Sequence, residues 1–154
     1  MVVEPIIVND VLYQAYCNFL GCKMRINRDL DYTFEGIKHL VTHETYPGHT
    51  THMQIRMIKA KKGEIPLDSS LVITNTACSL LFEGIADNGL KFLNWMEILD
   101  DEISDVIQKM KSAAGITAAH ILHEEGKSDE EVKNFLFADE NWINSRMRLI
   151  KHNL

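Results

Sequence analysis

Cysteine is scarce: the three in the chain, Cys17, Cys22 and Cys78, form neither a disulfide framework nor the C-x-x-C pair of a structural zinc site. They read as buried or half-buried thiols. Proline is as rare, at Pro5, Pro47 and Pro66, so little interrupts helix, and apolar residues recur mostly at three- and four-residue spacing. Positive charge also runs short. With 16 Lys and Arg against 22 Asp and Glu, the formal net charge is −6, which excludes the clustered basic surface of a nucleic-acid binder. The basic run Lys59, Lys61 and Lys62 is followed by Glu64 and reads as a solvated helix end. No stretch approaches the roughly 18 apolar residues of a membrane span, and Met1-Val2-Val3-Glu4-Pro5 lacks the basic start of a signal peptide. The expectation is a cytoplasmic protein of one domain, residues 1–154, with no nucleic-acid or membrane partner; its oligomeric state is left open, a homo-oligomer included.

What is present is helical periodicity, so the fold class is mainly α. A first helix fits from Asn9 through Val11, Leu12, Ala15, Tyr16 and Phe19 to near Gly21. Lys23-Met24-Arg25-Ile26-Asn27 alternates polar and apolar, giving at most a short edge strand or hairpin near residues 22–28. Asp31 or Thr33 opens a helix with Phe34, Ile37, Leu40 and Val41 on its apolar face, and it delivers His43 and Glu44. A second piece runs from His49 to Gly63. Ser69 or Ser70 then caps a long helix through Leu71, Ile73, Ala77, Leu80, Leu81, Ile85 and Leu90. Further helices fit roughly 101–125, 129–137 and 140–150, with Ser128 as N-cap ahead of Asp129, Glu130 and Glu131. Met24, Met53, Met57, Met96, Met110, Trp95 and Trp142 read as packing residues.

The chemistry sits in His43-Glu44-Thr45-Tyr46-Pro47-Gly48-His49. In an H-E-x-x-H helix two imidazoles one turn apart share a zinc ion while the Glu faces its water. Here Pro47 occupies the place of the second histidine and His49 follows it. On a regular helix His49 would stand about 120° short of two full turns from His43 and about 9 Å along the axis. Two such residues cannot share an ion, so the motif works only if Pro47-Gly48 breaks the helix and folds His49 back. A third ligand is then needed, with a fourth position left for water. Glu83 stands among Leu80, Leu81, Phe82 and Ile85, where a carboxylate is costly unless paired. Asp87, one turn later, is placed to accept the second N–H of a ligating histidine, most naturally His43. His, His and Glu with that supporting Asp resembles the gluzincin pattern H-E-x-x-H…E-x-x-x-D of thermolysin-like enzymes, expanded by two residues. His39 with His43, His49 with His52, and His120 with His123 are the other helical histidine pairs.

Ile26-Asn27-Arg28-Asp29-Leu30, then Leu40 to His49, then Phe82-Glu83-Gly84-Ile85-Ala86-Asp87, resemble the domain-of-unknown-function 885 family of zinc peptidases. That family shows H-E-x-x-P-G-H followed by an E-G-x-A helix. The turn Leu122-His123-Glu124-Glu125-Gly126-Lys127-Ser128 is similar to its late Leu-His-x-x-Gly-x-Ser element. The resemblance implies a helical, zincin-like metallopeptidase core with a zinc ion at His43, His49 and Glu83 and with Glu44 as general base. Members often carry a histidine after P-G-H, where this chain has Thr50, and are usually longer, with a large N-terminal region. The chain then corresponds to a minimal member or to the C-terminal catalytic part of a larger architecture. The family-like turn makes His123 the favoured oxyanion donor, ahead of His120 and Tyr46. Segment 23–27 is expected to pair with a peptide, or otherwise a small amide, as substrate. Three alternatives stand beside this reading: a non-catalytic metal-binding helical bundle, a hydrolase of non-peptide amides or esters, and a helical interaction domain without metal.

Overall fold

The computed structural model describes residues 2–71, 77–136 and 140–152, apart from the side chains of Ala77, Cys78, Asn141, Ser145, Leu149 and His152. Among these residues, strands β1 (Glu4–Val8), β2 (Ala15–Asn18) and β3 (Lys23–Asn27) precede the helices. These are α1 (Phe34–Glu44), α2 (His49–Lys61), α3 (Ala77–Asp87), α4 (Gly89–Phe92), α5 (Leu99–His123), α6 (Asp129–Leu136) and α7 (Glu140–His152), with a 3-10 turn at Leu67–Ser70. The chain is therefore mainly helical, with one small sheet. None of its described helices is long and apolar enough to cross a membrane.

The sheet corrects the sequence reading in two ways. Residues 9–21 hold β2 rather than a helix, and β3 is the central strand rather than an edge, parallel to β1 and antiparallel to β2. The apolar spacing of Val11, Leu12, Ala15, Tyr16 and Phe19 suits a helix, but a lone β3 would leave both rows of backbone donors and acceptors unpaired. Pairing across the sheet overrides the local pattern. Asp10 and Cys22, at φ 54° and 49°, turn the chain on either side of β2. Buried Asn27 fixes the corner: its Nδ2 donates to the Val11 and Tyr13 carbonyls at 3.2 Å each, and its Oδ1 accepts from Asp29 N at 3.0 Å.

Helix α1 is the centre of the molecule and touches β2, α2, α3, α4 and α5. Its start is set by Thr33, whose Oγ1 accepts from Gly36 N at 3.0 Å. Because neighbours cover it from several sides, its buried residues are Gly36, Lys38, Leu40, Thr42 and Glu44 rather than a single apolar stripe, and Phe34 is exposed. Lys38 Nζ reaches both oxygens of Asp101 at 2.8 and 2.9 Å. Asp101 in turn accepts the Glu97 and Ile98 N–H groups at 2.9 and 3.3 Å. One buried carboxylate thus closes the N-terminus of α5 and ties it to α1.

The expected helix from Ser69 or Ser70 to Leu90 is not continuous. Leu71 is extended, at φ −78° and ψ 138°, so neither serine caps a helix; Ile73 lies outside the described residues. Helix α3 ends at Asp87, where Asn88 Nδ2 donates back to the Gly84 carbonyl at 2.7 Å. The last three helices follow the expected spans closely. Ser128 and Glu131 exchange hydrogen bonds at 2.9 and 3.3 Å ahead of α6. Ala118, Val132, Leu136, Met147 and Ile150 form an apolar cluster between α5, α6 and α7, with Trp142 against it. Met24 and Met53 are buried, but Met110 is exposed and is not core.

Candidate metal centre

The chain between the two histidines is built to return on itself. Helix α1 stops at Glu44 and α2 starts at His49, so the last carbonyls of α1 need donors from outside the helix. They find them at the start of α2. Gly48 N donates to Thr42 O at 3.0 Å and Thr51 N to Thr45 O at 3.1 Å, while the Thr50 and Thr51 hydroxyls donate to the Glu44 and Thr45 carbonyls at 2.8 and 2.9 Å. Gly48 is required by contact. A Cβ there would lie 1.7 Å from the His43 carbonyl oxygen and 2.4 Å from its carbon, closer than any side chain allows.

This fold-back sets the imidazoles edge to face, with Nε2 of His43 and Nε2 of His49 3.1 Å apart. From α3, Glu83 places Oε2 3.3 Å from His43 Nε2 and Oε1 3.3 Å from His49 Nε2. Two imidazole nitrogens and both oxygens of one carboxylate, from three helices, therefore converge. Bonds of about 2.0–2.1 Å at a tetrahedral angle put two zinc ligand atoms about 3.3 Å apart, close to the 3.1 Å between the two histidine nitrogens. On the far side of the His43 ring, Nδ1 lies 2.9 Å from Asp87 Oδ1, within hydrogen-bonding distance though not well aligned.

The charges reinforce one another. Burial disfavours a charged His43, but Asp87 and Glu83 outweigh it and hold its pKa up to about 10. Hydrogen bonds from His43 and then His49 keep Glu83 well below the usual carboxylate range. His39 stands behind this group with Nε2 3.8 Å from Asp87 Oδ1, and burial pushes its pKa down. His39, His43 and Asp87 form a second potential ligand group that shares His43 with the first. The first is the tighter, with the residues' closest approaches between 3.1 and 3.3 Å.

Glu44 is only 7% exposed. No Lys, Arg or His nitrogen among the described residues pairs with its carboxylate, and it lies close enough to raise the pKa of His43. It also neighbours Cys17 of β2, whose thiol is pushed up to about 12, first by burial and then by Glu44. That contact had no signal in the sequence, because the segment around Cys17 reads as helix. Cys17 and Cys22 are free thiols, buried and half-buried respectively; the Cys78 side chain is outside the described residues.

The remaining histidines are placed elsewhere. His52 packs on Phe82 with ring centroids 4.2 Å apart, and His120 faces Glu125 at the surface. The role expected for His123 needs correction. Its Nε2 is 3.1 Å from the Ile150 carbonyl, and it ends α5 about 27 Å along the helix axis from Asp105 at 1.5 Å per residue, the part of α5 that neighbours His39. The turn that follows it is a junction between α5, α6 and α7. Segment 23–27 also loses its expected task, because β1 and β2 occupy both of its edges.

Compared with known proteins, the chain matches no family model, no curated protein and no solved structure.

Proposed function

We propose that the chain is a zinc-dependent hydrolase acting on peptides or related amides, with His43, His49 and Glu83 as the metal ligands. The observation that carries this reading is the convergence of His43, His49 and Glu83: the two Nε2 atoms are 3.1 Å apart and each lies 3.3 Å from a different oxygen of Glu83, close to the spacing of ligand atoms around tetrahedral zinc. His43, His49 and Glu83 would hold a zinc ion with a position left for water, and the ion would supply a water of pKa near roughly 7 and a polarised carbonyl. Glu44, next in sequence to a ligand and without a cation partner among the described residues, takes the water proton and returns it to the leaving amine. Asp87 holds the His43 ring with Nε2 toward the ion. Strand β2, at the sheet edge and beside Glu44 through Cys17, offers backbone groups to an extended peptide. The two motifs' resemblance to the domain-of-unknown-function 885 family points to the same chemistry.

One observation favours a second reading, a metal-binding module without catalysis: Glu44 is nearly buried against Cys17 rather than open to a cleft. Protein purified without chelator decides between metal and none, and a peptide panel with Glu44→Gln decides between the two metal readings. Hydrolysis should fall by about 10²–10⁴-fold in Glu44→Gln while zinc stays bound. Stoichiometric zinc with no peptide cleaved by the natural chain would leave the binding module. Absence of bound zinc would remove both.

A further inference from the structure

Helix α5 packs one face into the molecule and leaves an apolar row exposed on the opposite face. At 100° per residue, Asp101, Asp105, Gly115 and Ala118 lie on the side packed into the molecule. Leu99, Ile103, Val106 and Met110 fall in a row on the other side. These four are 68, 48, 53 and 66% exposed, against 1 and 8% for Asp101 and Asp105. Spacing of four, three and four is that of a helix–helix seam. A second apolar patch, Leu80, Leu81, Ile85 and Phe92, lies on α3 and α4. Lys91 of α4 reaches Asp105 of α5 at 3.1 Å, which links the two surfaces. Leu80, Leu81 and Phe92 are 77, 64 and 64% exposed, and apolar residues exposed in clusters of this kind mark interaction surfaces.

We propose that this face binds the same face of a second copy of the chain, the two α5 helices running antiparallel about a two-fold axis. The charges flanking the seam select this occupant and direction. Glu102 and Lys109 are seven residues apart on the flank of the seam that faces α4. In an antiparallel self-pair each flank meets itself, so Glu102 of each copy stands opposite Lys109 of the other, twice per dimer. A parallel pair would set Glu102 opposite Ile107 and Lys109 opposite Ala114, with no charge matched. Lys109 is also suited to sharing. It and Lys91 lie 2.7 and 3.1 Å from a single carboxylate, Asp105, which leaves one ammonium charge unbalanced, whereas Glu102 has no ion pair among the described residues.

Sedimentation equilibrium of the full chain from about 1 to 300 μM should show a reversible monomer–dimer equilibrium within the range of non-obligate interfaces. Val106→Asp and Met110→Lys, both at exposed positions, should give monomers with unchanged far-ultraviolet circular dichroism. Glu102→Lys should weaken the dimer about tenfold by opposing like charges, and adding Lys109→Glu to it should restore most of the loss. A monomer at every concentration would overturn the proposal, with the seam then left to another partner. So would a dimer indifferent to Val106→Asp and Met110→Lys, or one in which the double exchange is no better than Glu102→Lys alone.

Discussion

Around α1 polar groups are buried among apolar ones: Asn27, Lys38, Thr42, Glu44, Thr50, Asp101 and Asp105 beside Cys17, Met24, Leu40, Met53, Ala86 and Leu90. At the other end of the chain, α5, α6 and α7 bury Ala118, Val132, Leu136, Met147 and Ile150. Both regions are closed to water by different means. An apolar cluster tolerates small shifts, since contact energy is spread over many atom pairs, whereas a buried polar group must keep its particular partner or bear its full desolvation. The polar region is therefore the one whose geometry is specified, and it is the region that holds the candidate metal ligands. The apolar region supplies stability without chemistry, and the two should respond to different perturbations.

The sharpest separation is in metal content. His43→Ala or Glu83→Ala should reduce zinc from about one per chain to near zero, because two of three ligands do not close the site. Gly48→Ala should do the same while leaving every ligand in place, since its methyl would collide with the His43 carbonyl at 1.7 Å and force the histidines apart. Elemental analysis of the purified variants reads this directly. Zinc retained by Gly48→Ala would mean that the fold-back does not set the site.

Met147→Ala reverses the pattern. It opens a cavity in the α5–α6–α7 cluster, where Met147 is buried, and should cost about 2–5 kcal/mol in a denaturant titration with zinc content unchanged. Equal loss of zinc would show that the two regions are one cooperative unit around the metal.

Acid should find the polar region first. Lys38 and the Glu97 and Ile98 N–H groups hold the Asp101 pKa below its ordinary value, which is about 3.9 in an unfolded chain. The stability this confers is complete above that value and is lost as pH falls through the lower folded pKa. Asp101→Asn should be less stable at neutral pH and should lose less on acidification than the natural chain. Thermal melts across pH 7 to 2 test it, and parallel curves for the two proteins would assign the acid response to another group.

How far these regions were legible in the sequence follows the same division. The break at Pro47-Gly48 was readable because His43 and His49 cannot meet on a regular helix, and α5, α6 and α7 announced themselves by period. The direction of the return was not. It depends on Thr50 and Thr51 donating to α1 carbonyls, and a threonine after P-G-H carries no such message in a linear reading. Strand β2 was hidden because residues 11–19 satisfy helical spacing and only pairing with β3 decides otherwise. His123 was misplaced for a plainer reason: a motif resemblance fixes neighbours along the chain, while the length of α5 fixes how far they are carried in space.

The smallest expected effect tests how finely the polar region is specified. Asp87 does not belong to the group of His43, His49 and Glu83; it approaches His43 at Nδ1, on the ring edge away from Glu83 and His49. A carboxylate there fixes which nitrogen carries the proton and turns Nε2 toward the ion, and it makes the imidazole a stronger donor. An amide in its place can still accept that N–H but carries no charge, so ring orientation survives and the electrostatic gain is lost. Asp87→Asn should therefore keep stoichiometric zinc and weaken it by about 10- to 100-fold in competition with a chelator, well short of the complete loss in Glu83→Ala. His39→Asn is the control, because His39 approaches Asp87 only to 3.8 Å and its loss should change affinity little. If instead His39→Asn and Asp87→Asn were equally damaging while Glu83→Ala retained zinc, the metal would belong to the group of His39, His43 and Asp87, and the assignment of the centre would move from the α1–α2–α3 junction to the α1–α3 pair.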